Sequence, residues 1–212
     1  MRPLLLAVLA VAPLLGSCAT AYYQALETVG IEKRDILADR VEDARESQTD
    51  AKEQFESALD RYRSVVNVDG GDLEDIYDRL NGELERSQAR AQAVEERVGA
   101  VESVAEDLFD EWEAEIGEYS DAQLRRRSQQ LLTATRTDYR RLMAAMQRAE
   151  AAMDPVLTLF NDQVLFLRHN LNARAIGSLE AELDDIERAT ANLVDEMERS
   201  IAEASRFIEA LG

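Results

Sequence analysis

The chain has 212 residues, of which 46% are hydrophobic and 32% charged, and 24 Lys and Arg stand against 43 Asp and Glu for a net charge of -19. That apolar content suffices for a packed core, while the surplus of negative charge disfavours nucleic acid and anionic lipid headgroups as partners. With one cysteine, Cys18, no intramolecular disulfide can form, and the scarcity of Gly and Pro points to long helices.

MRPLLLAVLAVAPLLGSC opens with Arg2, continues through an apolar run from Leu4 to Leu15 and ends in Gly16, Ser17 and Cys18, the anatomy of a secretory signal. The order Leu15-Gly16-Ser17-Cys18 resembles the bacterial lipobox, which implies a signal peptide over 1–17 and a covalent lipid on Cys18. A membrane-spanning helix from Pro3 to Tyr23 is the competing reading, since the stretch approaches the ~20 residues a span needs, but Pro13 and the small-residue cleavage pattern oppose it. Each buried methylene contributes ~0.8 kcal/mol, so the two or three chains of a lipoprotein hold it at the membrane effectively permanently. Ala19 rather than Asp follows the cysteine, which by the Gram-negative sorting rule implies the periplasmic leaflet of the outer membrane. Residues 18–35 then read as a lipid-anchored segment in which Gly30 loosens any helix, with Tyr22 and Tyr23 placed for the membrane interface.

From residue 36 to 212 the pattern is one elongated helical domain. The first seam runs Leu37, Val41, Ala44, Gln48, Ala51, Phe55, Ala58, Tyr62, Val65, in alternating steps of four and three. Asp69-Gly70-Gly71-Asp72 predicts a reversal. A second seam follows through Leu73, Tyr77, Leu80, Leu84, Ser87, Ala91, Val94, Val98, Val101, Ala105, Leu108 and Trp112. Tyr119-Ser120-Asp121 predicts the next turn, with Ser120 or Asp121 as cap and Trp112 and Tyr119 plugging the bundle there. The third seam starts near Leu124 and passes through Leu132, Thr135, Tyr139, Leu142, Met146, Ala149, Met153, Val156, Phe160, Val164, Leu167 and Leu171. Its phase survives Pro155, so a kink or a re-initiation capped by Asp154 is expected there, and the reversal is placed between Asn170 and Ser178. Leu179, Leu183, Ile186, Thr190, Leu193, Met197, Ser200, Ala204, Phe207 and Leu211 return along the bundle. The fold class is therefore all-α, an elongated antiparallel four-helix bundle or coiled-coil rod of ~60 to 75 Å. Long helical hairpins that complete their core by dimerising would bury the same residues, so a homo-oligomer is the alternative.

Charge supports the second hairpin. EDLFDEWEAEIGEYSD before its turn is acidic and LRRRSQQLLTATRTDYRR after it is basic, so Glu106, Asp107, Asp110, Glu111, Glu113 and Glu115 are expected to pair with Arg125, Arg126, Arg127, Arg136, Arg140 and Arg141. The alternative is a basic patch for lipopolysaccharide or another polyanion.

No reactive constellation emerges. No Asp or Glu stands three or four residues before His169, the only histidine, which removes the Glu-x-x-His signature of di-iron bundles, and no phosphate-cradling Gly-rich loop or nucleophile elbow is present. We expect no catalytic residue, no metal and no cofactor beyond the lipid on Cys18. The most unusual mature segment is VLFLRHNLNARAIGSLE, where Arg168, His169, Asn170, Asn172 and Arg174 gather donors beside an apolar run. They are candidates for a ligand or partner site, although Asn at a helix end more often satisfies backbone groups.

CATAYYQALETVGIEKRDILADRVEDARESQTDAKEQFESAL, DLFDEWEAEI and VLFLRHNLNARAIGSLEAEL together resemble the bacterial family catalogued as domain of unknown function 2959. The resemblance covers nearly the whole mature chain and implies a Gram-negative envelope lipoprotein with no established activity. The expected role is a non-enzymatic, lipid-anchored periplasmic spacer, scaffold or adaptor with a protein partner in the envelope. The alternative is an accessory protein that binds a small ligand or envelope polymer through the His169 region.

Overall fold

The computed structural model describes residues 33–66, 73–170 and 173–211, with backbone alone for 173–176 and 178. Cys18, Tyr22, Tyr23, Gly30, the Asp69–Asp72 turn, Leu171 and Asn172 lie outside the described residues, as does the side chain of Arg174. Five helices follow one another: α1 (Lys33–Val66), α2 (Leu73–Glu118), α3 (Ala122–Ala151), α4 (Met153–His169) and α5 (Ala173–Leu211). α3 and α4 act as one arm of a four-helix bundle in which α1 packs on α2 and α5, and the α3–α4 arm packs on the same two. One chain supplies every wall of the core.

The first seam is realised at every position, from Leu37 to Val65, including the fully buried Gln48. In α5 the described seam is buried except for the half-buried Leu183. At the far end of α2 the expectation fails: Leu108 and Trp112 are half-buried, and Phe109 and Ile116 take the core positions. A straight helix drifts ~20° per heptad against a 3.5-residue repeat, and over five heptads the buried stripe moves onto the next ridge.

Asp121, not Ser120, caps α3, its Oδ1 accepting from the backbone N–H groups of Gln123 at 2.6 Å and Leu124 at 3.1 Å. Pro155 sits in the first turn of α4, where its missing N–H costs little. Asp154 does not cap that helix; Ala152 does so without a side-chain hydrogen bond, keeping right-handed helical geometry. The break is thus a kink, and Ala149, Met153, Val156 and Phe160 stay buried across it.

Cross-helix contacts fix the antiparallel register. Lys33 meets Glu111 at 2.9 Å, Asp50 meets Arg90 at 2.9 Å, Lys52 meets Glu198 at 3.1 Å and Arg148 meets Glu196 at 3.2 Å. Lys33 is buried, whereas the other three pairs are open to solvent on at least one side and contribute only ~0–1 kcal/mol each, so their effect is on register more than on stability. In the core, Tyr62 reaches across from α1 to donate to the Leu179 carbonyl at 2.9 Å, and its ring lies 5.5 Å from that of Phe160. Phe109, Tyr139 and Phe207 form the aromatic layer near the opposite end, with ring centroids 5.3 and 6.4 Å apart.

Up-down-up-down connectivity sets which features share an end. The start of α1, the α2–α3 turn and the end of α5 lie together at the end from which the chain leads back to Cys18. The end of α1, the start of α2 and the α4–α5 reversal lie at the other, up to ~69 Å away for a helix the length of α2.

Candidate functional site

At the distal end, Arg168 and His169 form the last turn of α4, both exposed, with an Arg168 guanidinium nitrogen 3.4 Å from His169 Nε2. Asn170 is a cap: its Nδ2 donates to the Phe166 carbonyl at 3.0 Å and its backbone N–H to the Leu167 carbonyl at 3.1 Å. Of the five candidates in this region, the described side chains therefore include one helix-ending residue and two open to solvent. Leu165 and Phe166, one turn earlier, are the unusual members, exposed at 41% and 37%.

At the proximal end, the α2–α3 hairpin extends beyond the described residues of α1 and α5. Lys33, the first described residue of α1, is level with Glu111, so the last two turns of α2 extend ~10 Å further. Leu211, the last residue of α5, lines a groove with Leu131 and Thr135, so α3 from Ala122 to Gln130 also passes beyond it. That groove has a volume of about 570 Å³ and includes Lys33 and Trp112, whose indole N–H donates to Ser128 Oγ at 2.8 Å.

Two expectations are corrected here. Leu124 is 53% exposed, and the third seam begins at Leu132; Tyr119 is 38% exposed and plugs nothing among the described residues, since the described parts of α1 and α5 stop short of both. The acidic and basic arms also pair far less than expected. Arg136 meets Glu113 at 2.7 Å, but Arg125 donates to the Tyr119 carbonyl, Arg140 to the Arg136 carbonyl and Thr137, and Arg141 turns to Asp138 and Glu203. Arg126 and Arg127 are exposed and engage no acid.

Taken together, the exposed large apolar residues among those described are Tyr119, Leu124, Leu131, Leu165 and Phe166, three at one end and two at the other. The long sides carry none. Sequence reasoning placed the candidate site on the polar residues around His169 and assigned Leu124 and Tyr119 to the core. The signal it lacked was the offset between helices, which decides whether a seam residue has a neighbour.

The sides hold ionisable groups with shifted pKa values. Burial pushes the Tyr139 hydroxyl up to about 12, aided by Glu102 and Glu106, and pushes Tyr62 up further, aided by Glu182. Glu150 is raised chiefly by burial and then by Glu95, Glu102 and Asp154. Among the described residues no group of three or more His, Cys, Asp or Glu is placed to hold a metal ion, and no helix is long and apolar enough to cross a membrane. No curated protein matches the chain. The family model described as Protein of unknown function (DUF2959) matches residues 22–211, and the chain belongs to that family.

Proposed function

We propose that the protein is a non-enzymatic rod of the bacterial envelope, lipidated on Cys18 and held on the periplasmic leaflet of the outer membrane. There it acts as an adaptor that presents its distal end to another envelope component. The observation that carries this reading is the segregation of exposed apolar side chains to the two ends of a bundle whose sides are charged and internally stitched. A surface of scattered charge suits solvent, whereas grouped apolar side chains in a polar surround suit a partner. The connectivity supports a division of labour: one end lies on the side of Cys18, and Leu165, Phe166, Arg168 and His169 lie at the other. The solvent-open setting of Arg168 and His169 favours docking of a protein surface over an enclosed ligand site.

The test is purification of the native protein from whole cells, with the intact mass of its N-terminal peptide and in-cell crosslinking read by mass spectrometry. The expected result is a diacylglyceryl or triacyl adduct on Cys18 and one recurrent protein partner. A Cys18 free of lipid, or a monomer without a reproducible crosslinked partner, refutes the reading.

A further inference from the structure

In sequence, the seam of α1 starts before Lys33. Tyr22, Leu26, Val29, Lys33 and Ile36 follow one another in steps of four, three, four and three, the spacing that carries Leu37 to Val65 through the core. Gln24, Glu27, Thr28 and Glu32 fall off that stripe, Gly30 lies on it without a side chain, and no proline interrupts residues 19–32. The match to the family model starts at residue 22, eleven positions before Lys33, so the sequence shared across the family includes this segment.

The groove of about 570 Å³ lies where that segment joins the bundle. Lys33 and Arg34 form one wall, Leu108 and Trp112 of α2 and Leu131 of α3 form the others, and Leu211 marks the end of α5. The buried stripe of α2 runs on past this level, since Ile116 lies beyond the Glu111 that pairs with Lys33 and is only 5% exposed, while Leu131 on the facing arm is 53% exposed. Eleven more helical residues on α1 rise ~16 Å, enough to follow α2 to its end. We infer that residues 22–32 continue α1 as a helix and dock in this groove, laying Val29 on Trp112 and Leu131 and carrying Leu26 and Tyr22 on to the exposed Leu124 and Tyr119. The segment is joined to the wall of the groove at Lys33, so it meets the groove at an effective concentration that no second copy matches. The exposed Glu113, Glu115 and Glu118 beside the groove disfavour anionic lipid as the occupant. Docking leaves only positions 18–21 between Cys18 and the bundle, a span of at most ~14 Å against ~50 Å for a free segment from Cys18 to Lys33. The rod then stands directly on its anchor, a consequence that rests on the lipid-anchor reading, as the docking itself does not.

The experiment reads hydrogen exchange of residues 26–32 by mass spectrometry in two forms of the mature chain. One is the native protein in vesicles of phosphatidylethanolamine and phosphatidylglycerol, and the other is soluble 18–212 with Cys18→Ala. A helix this short is marginal in water by itself, so protection of its amides reports that it is held against the bundle. Exchange is expected to be slowed at least about tenfold in both forms, and to return to within roughly twofold of the free-chain rate with Leu131→Asp, a change at an exposed position of α3. Thr28→Asp, off the stripe, and Leu165→Asp, at the distal end, are expected to leave the protection in place. Trp112 is the only tryptophan in the chain and gives a second readout: its emission should move to the red and its quenching by acrylamide should rise with Leu26→Asp but not with Thr28→Asp. Free-chain exchange of 26–32 in both parent forms overturns the inference. Protection that survives Leu131→Asp overturns it as well. So does protection present in vesicles and missing from the soluble form, which marks lipid as the occupant, or protection lost on dilution, which marks a second copy. An unacylated Cys18 in the native protein overturns the anchor reading alone, because the soluble form decides the docking.

Discussion

Gln48 lies at 0% exposure in the middle of the first seam, and neither atom of its amide group has a hydrogen-bond partner within the protein. Asp50 and Lys52, two and four residues further along, bridge to Arg90 of α2 and Glu198 of α5, which places Gln48 at mid-bundle rather than at a frayed end. Burying an uncompensated amide costs ~1–3 kcal/mol by the measure of protein substitutions. Gln48→Leu keeps nearly the same volume and removes that cost, so stability should rise by about 1–3 kcal/mol. For a chain of this size 1 kcal/mol moves Tm by roughly 2–4 °C, giving an expected increase of about 2–12 °C. Thermal melting followed by circular dichroism at 222 nm measures it, with exposed Ser57→Leu as the control for an added apolar side chain. A lower Tm for Gln48→Leu, or a gain no larger than the control's, would show that the amide is satisfied and would refute the reasoning.

Tyr62→Phe removes only the hydroxyl that donates to the Leu179 carbonyl and should lower stability by ~0.5–1.5 kcal/mol in chemical denaturation, whereas Tyr62→Ala also vacates the contact with Phe160 and should cost ~3–5 kcal/mol. Equal losses for the two would contradict the packing described for α1 against α4. Glu150 has its folded-state pKa raised above the ordinary 4.5, so the native state holds the extra proton and stability falls as pH rises through the interval above 4.5. Glu150→Gln should therefore raise Tm at pH 7 and match the parent chain at pH 4; a benefit of the same size at both pH values refutes it.

Much of this fold was legible because helix packing is written locally. Leu37 to Val65 repeat with a period that leaves one face for the core, and each of those residues is buried without any knowledge of its neighbour. Asp121 as cap, the survival of phase through Pro155 and the reversal after His169 are equally local. What failed were statements about offset. Whether Leu124 is core or surface depends on how far α1 and α5 reach along the hairpin, and no periodicity within α3 contains that length. The same holds for Arg125–Arg127: opposite charges on sequential arms face each other only where side-chain faces and register agree, and here Arg136 alone meets an acid of the preceding arm. Around His169 the local part of the reading was the legible one. Asn170 satisfies the helix end, as Asn in that position more often does, while the exposure of Leu165 and Phe166 in the apolar run beside it depends on neighbouring helices that the run itself does not encode.

The central claim is that this rod works from its ends, and position-specific photocrosslinking in living cells tests it most directly. A photoreactive side chain is placed at Leu165 or Phe166 on the distal tip and, separately, at the exposed positions Ser57, Gly99 and Ala144 on the sides of α1, α2 and α3. The account predicts one adduct of the same mass from both distal positions and none from the three sides. Adducts from the sides with none from Leu165 or Phe166 would contradict it.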